Sequence, residues 1–136
     1  MTNKELIEKY PWLQIRNVWT GELVEPEDYE FTWLDDLPDG WRKAFGLQMV
    51  KELDKILRKD NYQNEYRITQ IKEKYGYLRW YDNGVPITVS GEYNKWLAKY
   101  EELSEHTCLV CGKPGEIDCT QYWLIPLCDR HRKEEL

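Results

Sequence analysis

The chain has 136 residues, with 19 Lys+Arg against 25 Asp+Glu for a net charge of −6, and 41% of its residues are apolar. That length and composition suit one packed domain, or one domain with a small appended module, and exclude wholesale disorder. No apolar run approaches the roughly 18 residues of a membrane span, the N-terminal stretch has no hydrophobic signal core, and the overall acidity disfavours a generic basic nucleic-acid binder, so a cytoplasmic protein is expected.

Thr2 followed by Glu5 reads as a capping box opening a short helix over Lys4–Lys9, which Pro11 ends. The alternation across Trp12–Trp19 predicts a strand, with a turn at Thr20-Gly21-Glu22 and a returning arm at Leu23-Val24. Glu25–Asp39 is an irregular acidic stretch. Asp39 is expected to cap a helix over Trp41–Lys59, whose apolar stripe is Trp41, Phe45, Met49, Leu53, Ile56 and Leu57. Gly46 within it costs about 1 kcal/mol relative to Ala.

Tyr66–Lys74 and Tyr77–Tyr81 read as a hairpin turning at Lys74-Tyr75-Gly76. Ile68 and Ile71 fall on opposite faces of a regular strand, which implies a bulge or burial on both sides. Asp82-Asn83-Gly84 makes the next turn and Val85–Val89 a further strand. A second long helix runs from Ser90 or Gly91 to about Glu105, with the stripe Tyr93, Trp96, Leu97, Tyr100 and Leu103. A two-stranded hairpin around Glu116–Leu127 and a short terminal helix follow. The expected fold class is α+β: a small antiparallel sheet with two main helices and a C-terminal zinc-stapled module. Residues 1–105 form the core domain with its acidic N-terminal segment, and residues 106–136 the zinc-binding module packed on it.

The zinc expectation rests on spacing. Cys108 and Cys111 form a CxxC pair, Cys128 and His131 a CxxH pair, and 16 residues lie between the pairs. Zinc takes thiolate and imidazole ligands in a tetrahedron. Gly112 allows the tight turn after the first pair, and CxxH suits the first turn of a helix, where residues three apart share a face. Without an export signal, disulfides are not expected. Cys119 is the alternative fourth ligand. His131 is favoured because each paired turn delivers two ligands, leaving Cys119 a small hydrophobe beside Ile117. His106 is expected at the surface or beside the site.

Four ligands close the shell, whereas a catalytic zinc keeps an open position. The chain has no HExxH, no second His cluster and no HxE…PCxxC deaminase arrangement. A His-Asn-His nuclease needs catalytic histidines, and only His106 is left over. There is also no Gly-rich phosphate loop and no GxSxG. The zinc is therefore expected to be structural and the protein not an enzyme.

Gln70-Ile71-Lys72-Glu73-Lys74-Tyr75-Gly76-Tyr77-Leu78-Arg79-Trp80-Tyr81 resembles the (V/I)KEK(F/Y)GxLR(F/W)Y hairpin of a family of small uncharacterised bacteriophage and prophage proteins. Thr107-Cys108-Leu109-Val110-Cys111-Gly112-Lys113-Pro114-Gly115 and Leu127-Cys128-Asp129-Arg130-His131 are similar to that family's TCxxCGxPG turn and LCxxH end, and Asp39-Gly40-Trp41 to its DGW helix opening. The likeness spans Asp39 to His131, about two-thirds of the chain. It implies a phage or prophage origin and a shared scaffold, and carries no biochemical activity with it. Residues 1–38 have no counterpart.

Charge is segregated. Residues 1–39 hold three bases against ten acids, residues 40–80 ten bases against five acids, and residues 81–136 six bases against ten acids. Between Asn17 and Trp41 there is no base and there are eight acids, interleaved with aromatics. One reading is a solvated loop. The sharper one is a surface for a basic protein partner, with Glu27, Asp28, Tyr29, Trp33, Asp35 and Asp36 in contact. By analogy, the partner is a host defence or nucleic-acid enzyme that the protein inhibits. The alternative is a nucleic-acid-binding zinc protein using the bases and aromatics of 42–81.

Overall fold

Thr2 does open the first helix. In a computed structural model, which describes residues 1–17, 19–23, 31–118 and 124–135, the Thr2 hydroxyl accepts from the Glu5 N–H. The Glu5 carboxylate reaches back to the Thr2 backbone, giving a capping box for α1 (Asn3–Lys9). Among the described residues of Trp12–Trp19 the expected strand is not formed. Pro11, with φ pre-set for a first helical position, starts a 3-10 turn over Pro11–Leu13 instead. That turn sends the adjacent Trp12 and Leu13 both inward, at 3% and 0% exposed, which the alternation of a strand forbids. What remains of the expected hairpin among the described residues is the single bridge Arg16↔Leu23. A second 3-10 turn (Trp33–Asp36) is capped by Thr32, again reciprocally, with Asp35 in the role of the third residue.

The first long helix, α2, is continuous through an α-helical turn at Asp39–Trp41, a π-helical turn at Arg42–Gly46 and a regular stretch at Leu47–Arg58. Its N-cap is Pro38, not the expected Asp39, which is already the first helical residue. The π turn explains the stripe. Trp41, Phe45, Met49 and Leu53 recur every four residues, and in a 3.6-residue helix each such step drifts by about 40°. A wider turn absorbs the drift, so that all four are at most 3% exposed.

β1 (Ile68–Lys74) and β2 (Tyr77–Asp82) form the expected antiparallel hairpin, and its register shifts between Ile68 and Gln70. The extra residue turns both Ile68 and Ile71 inward, as the bulge argument required. The strand expected over Val85–Val89 is replaced by the start of α3 (Ile87–Glu105), capped by Pro86. Pro86 can precede a helix but not pair within a strand, and this outweighs the β-branched run Ile87-Thr88-Val89. β3 (Glu116–Ile117) pairs with β4 (Pro126–Leu127), and α4 (Asp129–Glu135) follows. The fold is α+β, as expected.

The hairpin's inner face packs on α3, and α3 packs on α2. Much of the aromatic excess lies in this core. Trp80 meets Trp96 edge-on at 5.2 Å, and Tyr93 and Tyr100 pack on either side of Trp96. Among the described residues each buried indole N–H has a partner: Trp12 donates to Asp54 Oδ1 (3.0 Å), Trp96 to the Met49 carbonyl (3.0 Å), Trp80 to the Tyr66 hydroxyl (2.7 Å) and Trp41 to the Thr107 carbonyl (2.9 Å). The Tyr66 and Tyr93 hydroxyls both donate to Asp82 Oδ2. Trp19, by contrast, is 90% exposed.

Candidate metal centre

Two local turns build the site. In the first, the Cys108 N–H donates to the Lys113 carbonyl (2.8 Å) and the Gly112 N–H donates back to the Cys108 carbonyl (3.0 Å). The loop closes through Gly112 at φ +81°, a left-handed conformation that favours glycine. In the second, β4 delivers Cys128 to the start of α4, where the Arg132 N–H donates to the Cys128 carbonyl (2.9 Å). His131 therefore lies three residues on, on the same face as Cys128.

The four donor atoms of Cys108, Cys111, Cys128 and His131 all lie within 4.8 Å of one another. Cys111 Sγ is 3.7 Å from Cys128 Sγ, and His131 Nδ1 is 3.5 Å from Cys108 Sγ and 3.1 Å from Cys128 Sγ. The cysteines are free, and the 3.7 Å separation is far beyond the ~2.05 Å of a disulfide. These separations approximate the edges of a donor tetrahedron: bonds of ~2.3 Å to sulfur and ~2.0 Å to nitrogen put neighbouring donors ~3.5–3.8 Å apart. Three sulfurs and one imidazole nitrogen thus fit a single thiophilic ion, with Nδ1 as the histidine donor. Burial works against the Cys108 thiolate, yet the backbone N–H groups of Cys128, Cys111 and Val110 outweigh it and bring the thiol down to about 6. The Lys113 N–H favours the Cys111 thiolate, but desolvation and the neighbouring sulfurs of Cys128 and Cys108 push that thiol up.

The site is braced against the core at three points. The Trp41 indole donates to the Thr107 carbonyl (2.9 Å) and the Gly40 N–H to the Leu109 carbonyl (2.7 Å). At Gly40 a Cβ would stand 2.1 Å from the Cys108 carbonyl, so the start of α2 touches the cysteine turn backbone to backbone. At Gly76 a Cβ would stand 2.5 Å from Ile117 Cδ1, which seats β3 on the tip of the first hairpin. Arg132 ties α4 to the small sheet through the carbonyls of Glu116 and Leu127. The roles of Gly40 and Arg132 were missed from sequence. The Asp39-Gly40-Trp41 string was the available signal for the first.

His106 lies outside the donor cluster, with Nδ1 3.0 Å from Glu116 Oε2. Cys119 lies outside the described residues, as do Glu27, Asp28 and Tyr29 of the expected partner surface. Of that surface, Trp33 is half-buried against the core. Asp35 is engaged within the molecule: it accepts from the Thr32 N–H (2.8 Å) and Asn3 Nδ2 (3.1 Å) and pairs with Arg42. Burial opposes its charge, but Thr32, Arg42 and Asn3 together hold its carboxyl below the usual range. Asp36 is exposed, and desolvation followed by the Asp35 charge pushes its carboxyl up. The basic segment 42–81 divides. Arg42, Arg58 and Lys59 pair with Asp35, Asp54 and Glu92, whereas Lys72, Lys74 and Arg79 lie on the hairpin.

Searches of family models, of curated proteins and of solved structures return no match to this chain. Among the described residues no helix is long and apolar enough to cross a membrane.

Proposed function

We propose that the protein is a zinc-stapled accessory factor that acts by binding another protein, not by catalysis. The observation that carries this reading is the donor set of the metal centre. Three cysteines and one histidine converge within 4.8 Å, and four such ligands complete a tetrahedron with no position left for a substrate. Zinc is the ion this set suits best, and its role is to close a terminal module that has little core of its own.

The hairpin and cysteine strings that resemble phage and prophage proteins support a phage-borne factor working in the cytoplasm of a bacterial host. There it would inhibit a host defence or nucleic-acid enzyme with a basic groove. The contact surface is the acidic stretch Glu22 to Asp39. Glu22, Asp36, Asp39 and the 55%-exposed Phe31 are exposed described members of it, and the neighbouring Trp19 adds an aromatic anchor. Asp35, expected in the same surface, has its carboxylate engaged by Thr32, Asn3 and Arg42.

Affinity capture from a bacterial lysate, run side by side with a variant carrying Glu27→Lys, Asp28→Lys and Asp36→Lys, tests the reading. A basic protein retained by the native chain and lost from the variant is expected. Identical capture by both, with both correctly folded, counts against the acidic surface.

A further inference from the structure

We propose that the outer face of the β1–β2 hairpin is a platform for single-stranded nucleic acid. Directly paired residues of an antiparallel ladder share a face. The pairs Lys74↔Tyr77, Lys72↔Arg79 and Gln70↔Tyr81 therefore put six side chains on one side of the hairpin. The intervening positions turn inward: Ile71, Leu78 and Trp80 are at most 5% exposed, and Glu73 curls back to accept from the Gly76 N–H (3.0 Å). Every formal charge among the six is thus positive.

Rings alternate with these charges. The Arg79 guanidinium lies 4.0 Å from the centre of the Tyr77 ring, Lys72 Nζ lies 5.9 Å from that of Tyr81, and Lys74 Nζ lies 5.3 Å from that of Tyr75 at the hairpin tip. Tyr75 is 65% exposed and Tyr81 43% exposed, so both offer ring surface to solvent. Among the described residues Lys72 and Lys74 have no ion pair, and Arg79 Nε, itself buried, has no hydrogen-bond partner. Glu101 of α3 is within electrostatic reach of Arg79 but leaves the two lysines uncompensated.

Cations that follow a phosphate backbone, set between rings on which bases stack, are the elements of sequence-tolerant single-strand binding. A duplex hides its base faces and an acidic peptide has none, so the tyrosines select a single strand over both. The chain's net charge of −6 does not oppose this, because the field that matters is local to the face. The platform uses residues separate from the acidic surface, so either reading can fail alone.

The test is fluorescence anisotropy of the metal-loaded full chain with labelled single strands of DNA and of RNA about a dozen nucleotides long, within the usual site sizes. Duplex of the same length and poly-glutamate are the comparison probes. Expected is binding of at least one type of single strand, about tenfold or more tighter than duplex or poly-glutamate. Its log affinity should fall with log salt at a slope of about −2, as three neutralised phosphates give. Tyr81→Ala should weaken binding about tenfold with the slope kept, and Lys72→Gln with Lys74→Gln should flatten the slope. Circular dichroism of each variant verifies the fold, and Tyr75→Ala serves if Tyr81→Ala is unstable. No binding at low salt, equal affinity for duplex or poly-glutamate, or single-strand binding that these variants leave unchanged overturns the proposal.

Discussion

Residues 1–105 and residues 106–135 are held together by different physics. The first region is held mainly by its own side chains. Trp12, Trp80 and Trp96 are buried with their indole N–H groups satisfied within it, Trp41 is buried and donates across to the Thr107 carbonyl, and Leu13, Met49, Leu53, Leu57 and Leu78 are fully buried around them. In the second region the described buried residues are Thr107, Cys108, Gly115, Pro126 and Leu127. Among the described residues that is little apolar surface to set against the conformational entropy of ordering the segment. Four converging donors take the place of the missing core. A metal held by them would serve to close a short segment and would not by itself indicate chemistry.

Removing the metal breaks the comparison most severely. Structural zinc contributes on the order of 10 kcal/mol to the folding of small zinc modules. Chelation, or Cys111→Ser, is therefore expected to unfold residues 106–135 while Trp12, Trp80 and Trp96 stay packed. Amide exchange would show protection lost in the module and kept at Leu53 and Leu78. Cys119→Ser is expected to retain the metal. Release of the metal by that variant would assign the fourth ligand to Cys119 in place of His131.

The joint between the regions is the next point of attack. Gly40→Ala places a methyl 2.1 Å from the Cys108 carbonyl, where only backbone can yield. Overpacking of this kind costs about 1–3 kcal/mol. Both regions should feel it: a lower melting temperature together with weaker metal retention, read by a colorimetric chelator. A loss of stability with metal retention unchanged would mean that the cysteine turn does not depend on α2.

Local signals are what the sequence made legible. The capping box of Thr2 and Glu5 and the paired CxxC and CxxH turns act within three or four residues, and the structure contains the capping box and brings the four donors together. The hairpin was readable because its bulge follows from Ile68 and Ile71 both needing the core. The two false strands failed where a proline ruled the backbone. Pro11 and Pro86 each set up a helical turn, and the alternation or β-branching that followed had no ladder to join. The joint at Gly40 was hidden for another reason, since the Asp39-Gly40-Trp41 string marks the position and not what it touches. It is a contact between residues 40 and 108 that no periodicity encodes. At the expected partner surface the sequence did not show that Thr32-x-x-Asp35 acts as a capping pair, which engages the Asp35 carboxylate inside the molecule.

The smallest expected effect isolates the first region. In α1 the Thr2 hydroxyl accepts from the Glu5 N–H at 3.2 Å, and it is exposed. Thr2→Ala removes that cap and should cost about 1 kcal/mol. Leu6 and Ile7 of the same helix are buried, so the loss passes to the core through α1. It does not reach the cysteine turn, whose braces are Gly40, Trp41 and Gly76. The melting temperature should therefore fall by a few degrees while metal affinity stays at the native value. A parallel fall in metal affinity would mean that α1 and the metal centre are energetically coupled, and the division into a side-chain-held and a metal-held region would have to be given up.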